Sequence, residues 1–122
     1  MTEDFRRLKR RKASMEIRVL DCMTQQSIGQ IADLSESGMM ITANTSVTTD
    51  GLYQFELFFA KSSPTNKTIH VGAHELWSEQ NAQSGQMEVG FRFIDIAPSD
   101  RAWLRIWVSE PGSRYAWAND IY

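Results

Sequence analysis

The sequence predicts an all-β domain of six short antiparallel strands followed by one C-terminal α-helix. Alternation of apolar and polar residues recurs in six segments, and clusters of turn-forming residues separate these segments. The alternation stops after Pro98, where Trp103, Ile106 and Trp107 follow the i, i+3, i+4 spacing of one helix face. These patterns leave open whether the strands form a small barrel or a sandwich, with the helix packed across an opening.

Each predicted strand carries an apolar set that should face the core. In the fifth strand the alternation slips at Leu76 and Trp77, which predicts a β-bulge. Ser99 is the predicted N-cap of the helix, and Pro111-Gly112 is predicted to end it. In chain order the strands are marked by Ala13, Met15, Ile17 and Val19; by residues 28–31; by residues 39–41; by Tyr53, Phe55, Leu57 and Phe59; by Ile69, Val71 and Ala73; and by Met87, Val89, Phe91 and Phe93.

Length and composition indicate one globular domain. The chain has 122 residues, of which 42% are hydrophobic and 11% aromatic, enough for one core. No apolar run approaches the roughly 18–20 residues that a membrane helix needs, and the first residues are charged rather than leader-like, so we expect a cytoplasmic protein without membrane insertion. Cys22 is the only cysteine, which excludes an intrachain disulfide or a thiolate cluster.

Charge is distributed unevenly along the chain. Six basic and two acidic residues give residues 1–12 a net charge of +4, whereas seven basic and thirteen acidic residues leave −6 on the rest. A segment so rich in charge and poor in apolar residues is predicted to be a flexible arm that does not fold alone. The acidic remainder argues against a nucleic-acid-binding function, although the arm keeps that alternative open.

Two short motifs carry the functional prediction. Arg6-x-x-x-Arg10 lies just upstream of the first predicted strand, and Asp33-x-Ser35-x-x-Gly38 lies between the second and third. In this order, and with the strand pattern that follows, they resemble the motifs of the PilZ domain family over about residues 5–110. The segment 89–95 is also similar to the closing strand of that family.

The resemblance implies a six-stranded antiparallel split barrel with a C-terminal helix, and reception of the second messenger cyclic di-GMP. Residues 13–110 are then the barrel and helix, charge marks residues 1–12 as the arm, and the aromatic content of residues 111–122 predicts a tail that docks on the barrel or on a partner. Trp77, at the end of the fifth strand, is a further point of resemblance, predicted either to contact guanine or to belong to the core.

The arginine motif can be assigned to two pairs of residues, because Arg7-x-x-x-Arg11 has the same spacing as Arg6-x-x-x-Arg10. In the family the second arginine lies three residues before the first inward residue of strand one. Counting back from Ala13 selects Arg10 and therefore Arg6. Arg7 and Arg11 are then auxiliary contacts.

These residue types suit a guanine-bearing dianion. Arginine can bond a phosphate or the O6/N7 edge of guanine through two parallel hydrogen bonds and can stack on the purine. A carboxylate at Asp33 can accept from guanine N1 and N2, and Ser35 can donate to or accept from polar ligand atoms. Gly38 is expected to turn the chain with a positive φ. The resemblance implies that Asp33 and Ser35 hold guanine and phosphate while the arginines close over the ligand from the arm. The composition of the arm predicts that ligand binding orders it.

Catalysis is not expected. Neither a nucleophile setting nor a Gly-rich phosphate loop is recognisable in the sequence. His70 and His74 share a strand face but lie too far apart for easy joint metal ligation, so no metal or cofactor is predicted. The predicted function is a receptor that signals to an unidentified effector protein controlling motility, pili, biofilm or polysaccharide output. The alternative is a PilZ-fold interaction module that binds no nucleotide; the sequence decides neither ligand stoichiometry nor oligomeric state.

Overall fold

The computed structural model describes residues 7–13, 16–59, 67–109 and 113–117. These residues form strands and one helix, all joined in a continuous antiparallel sheet with the helix against it. In chain order the elements are β1 (Arg7–Lys12), β2 (Ile17–Asp21), β3 (Gln26–Ser35), β4 (Gly38–Ala43), β5 (Leu52–Phe59), β6 (Lys67–Gln80), β7 (Met87–Ile96), α1 (Pro98–Val108) and β8 (Ser113–Trp117).

Strands β2 to β7 close into a six-stranded barrel. The neighbours follow the order β2-β5-β6-β7-β4-β3, and β3 pairs back with β2 to complete the circle. The predicted barrel and helix are therefore confirmed, and the sandwich alternative is excluded. Closure removes the free strand edges that an open sheet of this size would expose.

Strand β3 is long enough to pair with two strands along one edge. Its first half, Gln26–Gln30, pairs with β2, and its last residues, Asp33–Ser35, pair with β1. The amide of Ala13 also donates to the carbonyl of Ala32 at 3.1 Å, between the two ladders. Beyond β1, β8 adds an outer strand. The segment 7–12 assigned to the flexible arm thus has a strand conformation in this structure, while its ordering by ligand stays a prediction.

The barrel interior is filled by the residues that alternation assigned to it. Phe55, Phe59 and Phe91 are fully buried, and Phe59 contacts the rings of Trp103 and Trp107 with centroids 4.9 and 5.7 Å away. The helix therefore closes one end of the barrel through aromatic edge contacts. One predicted inward residue is wrong, because Met87 at the start of β7 is 38% exposed. Met15 lies outside the described residues.

The helix differs from its prediction in two details. Its N-cap is Ala97, with Pro98 in the first turn and without a side-chain capping bond, so Ser99 lies inside the helix instead of capping it. Its buried face consists of Leu104, Trp107 and Val108, whereas Ile106 is 68% exposed. The predicted stop at Pro111-Gly112 lies outside the described residues.

The predicted bulge at Leu76–Trp77 is confirmed. The β6–β7 register shifts between Glu75 and Trp77, and a second shift lies between Gly72 and Ala73. Such shifts bend a long strand around a small barrel. No helix in the described part of the chain is long and apolar enough to cross a membrane.

Candidate functional site

The β3–β4 hairpin holds two buried polar side chains, Asp33 and Ser35. They are 3% and 0% exposed, and Leu34 between them is a fully buried core residue. The amide of Ser37 donates to the Ser35 hydroxyl oxygen at 3.2 Å, and the amide of Leu34 donates to Asp33 Oδ1 at 3.1 Å. The spacing Asp-x-Ser is thus the period of a strand, which places both polar residues on the face opposite the core.

Strand β1, which is rich in basic residues, pairs with the part of β3 that carries Asp33 and Ser35. Its register pairs Arg10 with Ser35, Arg11 with Leu34 and Lys12 with Asp33. Directly opposed residues in an antiparallel pair have Cβ atoms about 4.5–5.5 Å apart. The backbone therefore brings the second arginine of the predicted motif to the predicted serine, and a lysine to the predicted aspartate.

Arg11 is directed to the helix. Its guanidinium carbon lies 4.2 Å from the centroid of a Trp107 ring, and its Nη1 donates to the Trp107 carbonyl at 3.1 Å. This combines a cation–π contact with a hydrogen bond to the last turn of α1. Arg7 pairs with Trp117 of β8 by register, and Arg6 lies outside the described residues.

Trp77 lies on the outer wall of the barrel in the same cross-strand row as Asp33. The row follows from successive register pairs, which join Asp33 to Met40, Met40 to Gly90 and Gly90 to Trp77. A Cβ at position 90 would lie 2.3 Å from Trp77 Nε1, so the indole covers the backbone of Gly90. Because β7 and β3 are two strand spacings apart, the ring lies about 10 Å from the β3 backbone across the sheet.

Gly38 differs from its prediction. The described glycines with positive φ are Gly29 and Gly85, whereas Gly38 begins β4 as a buried strand residue. The hairpin turns through Glu36 and Ser37, and the Ser35 hydroxyl lies 3.5 Å from the Gly38 carbonyl oxygen. The expectation of a positive φ at Gly38 was therefore wrong.

Arg92 is a cation near the hairpin that the sequence motifs did not assign to the site. It pairs with Gly38 across the β4–β7 ladder, and its side chain is exposed on the outer face. The alternation of β7 predicts that the Arg92 side chain faces outward, since position 92 lies between the inward residues Phe91 and Phe93. That alternation does not show that Arg92 pairs with Gly38, so the position of Arg92 beside the hairpin could not be predicted.

The hairpin turn is also bound to the helix. Glu36 accepts from Arg105 through two parallel bonds, Nε to Oε2 at 3.2 Å and Nη2 to Oε1 at 3.0 Å. The hydrogen bond and the charge of Glu36 raise the pKa of Arg105. Arg101 Nη1 lies 3.4 Å from the Glu36 carbonyl oxygen. Bidentate geometry restricts the angle between turn and helix as well as their distance.

A comparison with protein-family models identifies the fold. The model described as PilZ domain matches residues 4–110. The chain belongs to the PilZ domain family. The family resemblance stated from the two motifs is thereby confirmed. No curated protein matches the sequence.

Solved structures of PilZ proteins share the fold at low sequence identity. The inhibitor of motility MotI/DgrA of Bacillus subtilis superposes with a TM-score of 0.70 at 12% identity, covering 84% of this chain and 48% of its own. YcgR of Escherichia coli in complex with cyclic di-GMP gives 0.67 at 15%, covering 84% and 43%. The chain thus spans less than half of either protein. The PilZ domain of YcgR with cyclic di-GMP gives 0.59 at 14%, covering 84% and 87%.

Proposed function

We propose that this PilZ domain is a cytoplasmic, non-enzymatic receptor for cyclic di-GMP that signals to a protein partner. The observation that carries the proposal is the β1–β3 register, which sets Arg10 against Ser35 and Lys12 against Asp33. The backbone register thereby places basic residues beside a carboxylate that can accept hydrogen bonds from the N1 and N2 groups of guanine. YcgR, a structural neighbour, has been solved with cyclic di-GMP, which supports the same ligand class here.

Binding requires movement of the chain around the hairpin. Asp33 and Ser35 are almost completely buried, so a ligand reaches them only when the segments packed against them shift. Strand β1 is the segment paired with that edge of β3. We therefore propose that the messenger separates β1 from β3 only far enough to enter between them, so that Arg10 and Lys12 stay on the side of Ser35 and Asp33, and that it orders the arm there, as in switches that couple binding to the ordering of a segment.

The same strand offers a route for the signal. Besides β3, β1 pairs with β8, and Arg11 binds Trp107 at the end of α1. A shift of β1 therefore changes the surface formed by β8 and the end of the helix. We propose that this surface meets an effector protein whose output is motility, pili, biofilm or polysaccharide production.

The burial of Asp33 and Ser35 also favours a second candidate function. Both side chains have hydrogen-bond partners inside the hairpin, so each can act as a structural residue without any ligand. Under this alternative the domain is a protein-interaction module that binds no nucleotide.

Isothermal titration calorimetry separates these functions. The full chain is titrated with cyclic di-GMP, with GTP and with a short oligonucleotide; the receptor proposal expects saturable heat with cyclic di-GMP alone. Arg10→Ala should weaken binding by about 1–3 kcal/mol, the scale of a bidentate arginine contact. Arg18→Ala is the matched control, because Arg18 is an arginine on β2 rather than on β1. Its guanidinium carbon lies 5.3 Å from the centroid of the Phe58 ring. Absence of heat from a folded chain with all three compounds would favour the interaction module.

A further inference from the structure

A cluster of three potential metal ligands lies on a different part of the barrel wall. Glu56 of β5 and His70 of β6 are paired in register, and the amide of Cys22, just after β2, donates to the Gln54 carbonyl at 2.9 Å. The Cys22 sulfur, one Glu56 carboxylate oxygen and one His70 ring nitrogen all lie within 4.8 Å of one another. Cys22 follows Asp21, which pairs with Gln26 at the start of β3, whereas the β3–β4 hairpin lies at the other end of this ten-residue strand, so the cluster is remote from the hairpin.

We propose that Cys22, Glu56 and His70 bind one zinc-class divalent cation. Thiolate, imidazole and carboxylate are the ligand types that Zn²⁺ takes, at distances of about 2.0–2.3 Å. Ligand atoms around a tetrahedral ion at such distances are roughly 3.3–3.7 Å apart. The ligand atoms already lie within 4.8 Å of one another, and metal binding requires His70 Nε2 and Glu56 Oε2 to move apart from their present 2.6 Å.

The surroundings suit a cation with three protein ligands and one coordination position open to water. The side chains of His70 and Glu56 are 69% and 34% exposed, so water completes the coordination from the solvent side. The carboxylates of Glu56 and Asp21 both lie close enough to interact electrostatically with the Cys22 sulfur. Those two carboxylates give the site the negative potential that attracts a divalent ion.

Cys22, Glu56 and His70 are far apart in the sequence, and only the pairing of strands brings them together. The sequence pattern relates His70 only to His74, four residues away on the same strand. In the structure His74 Nε2 contacts Asp50 Oδ1, and His70 contacts a carboxylate of the neighbouring strand. His74 is therefore a matched control, since it is a histidine of the same strand with its own acidic partner.

Cobalt titration of the reduced, tag-free full chain tests the site. Bound Co²⁺ should produce a near-ultraviolet sulfur-to-cobalt charge-transfer band that saturates at about one ion per chain and is removed by Zn²⁺. Cys22→Ser should abolish the band, and His70→Ala and Glu56→Gln should weaken cobalt binding at least about tenfold. His74→Ala should behave like the wild type.

Several outcomes would overturn the proposal. They are a wild-type chain without the band, a band unchanged in Cys22→Ser, or equal losses in His74→Ala and His70→Ala. Circular dichroism of each variant verifies folding, and His70→Ala is expected to fold because its side chain is largely exposed. The experiment contains no nucleotide, so its result is independent of the proposed receptor function.

Discussion

Arg10 is the cross-strand partner of Ser35 in the β1–β3 ladder. Two residues further along, Lys12 is the partner of Asp33, so the two pairs of candidate site residues are spaced at the period of two of a strand. This explains in physical terms why the motif has the form Asp-x-Ser. The residue between, Leu34, packs in the barrel core, whereas Asp33 and Ser35 lie on the opposite face of the strand.

Arg11→Ala should affect stability more than ligand affinity. The variant loses the contact of the guanidinium with the Trp107 ring and the bond to the Trp107 carbonyl. Urea denaturation should show a decrease of about 0.5–2 kcal/mol in the free energy of unfolding. Calorimetry with cyclic di-GMP should show a smaller loss of affinity than in Arg10→Ala. Normal binding by Arg10→Ala together with no binding by Arg11→Ala would instead select the Arg7/Arg11 register.

Gly90→Ala should destabilise the barrel through Trp77. The new methyl group would lie 2.3 Å from Trp77 Nε1, so the indole must leave its position. The expected cost is about 1–3 kcal/mol in the free energy of unfolding. In the background of Trp77→Ala the same change should cost much less, because the clashing ring is gone. An equal loss in the free energy of unfolding in both backgrounds would show that the Trp77 ring is not what excludes a side chain at position 90.

Arg92→Ala should weaken the binding of cyclic di-GMP without changing stability. Its exposed guanidinium belongs to the row of Gly38, next to the hairpin, and we therefore expect it to contact a ligand phosphate. Hydrogen bonds to charged groups contribute roughly 1.5 kcal/mol or more, which is about a tenfold loss of affinity. Arg18→Ala should retain wild-type affinity, and a wild-type Kd in Arg92→Ala would remove this residue from the site.

Cys22 should react slowly with iodoacetamide in metal-free buffer. Burial and the carboxylates of Glu56 and Asp21 raise the pKa of its thiol, so at a given pH less of it is the reactive thiolate. The rate should rise with pH through a midpoint above that of a free cysteine peptide. Glu56→Gln removes one negative charge and should move the midpoint down. A wild-type midpoint at or below that of the peptide would contradict the effect of burial and of the two carboxylates.

The strands that bury an apolar face could be predicted, whereas β1 and β8 could not. Val19 and Phe55 repeat at a period of two because each strand has one side in the core. In β1, basic residues occupy five of the six positions, so no apolar alternation marks a strand. Its conformation depends on hydrogen bonds to β3 and β8, which are long-range contacts.

The sequence by itself determined the six-strand pattern, the helix and the two motifs, because each depends on residues close together in the chain. Only the tertiary structure decided that β3 pairs with both β1 and β2, that Arg92 lies in the row of Gly38, and that Cys22, Glu56 and His70 converge. The physical reason is that alternation specifies which face of a strand is buried but carries no information about which strand lies beside it. Neighbouring side chains on a barrel wall are therefore set by closure and register.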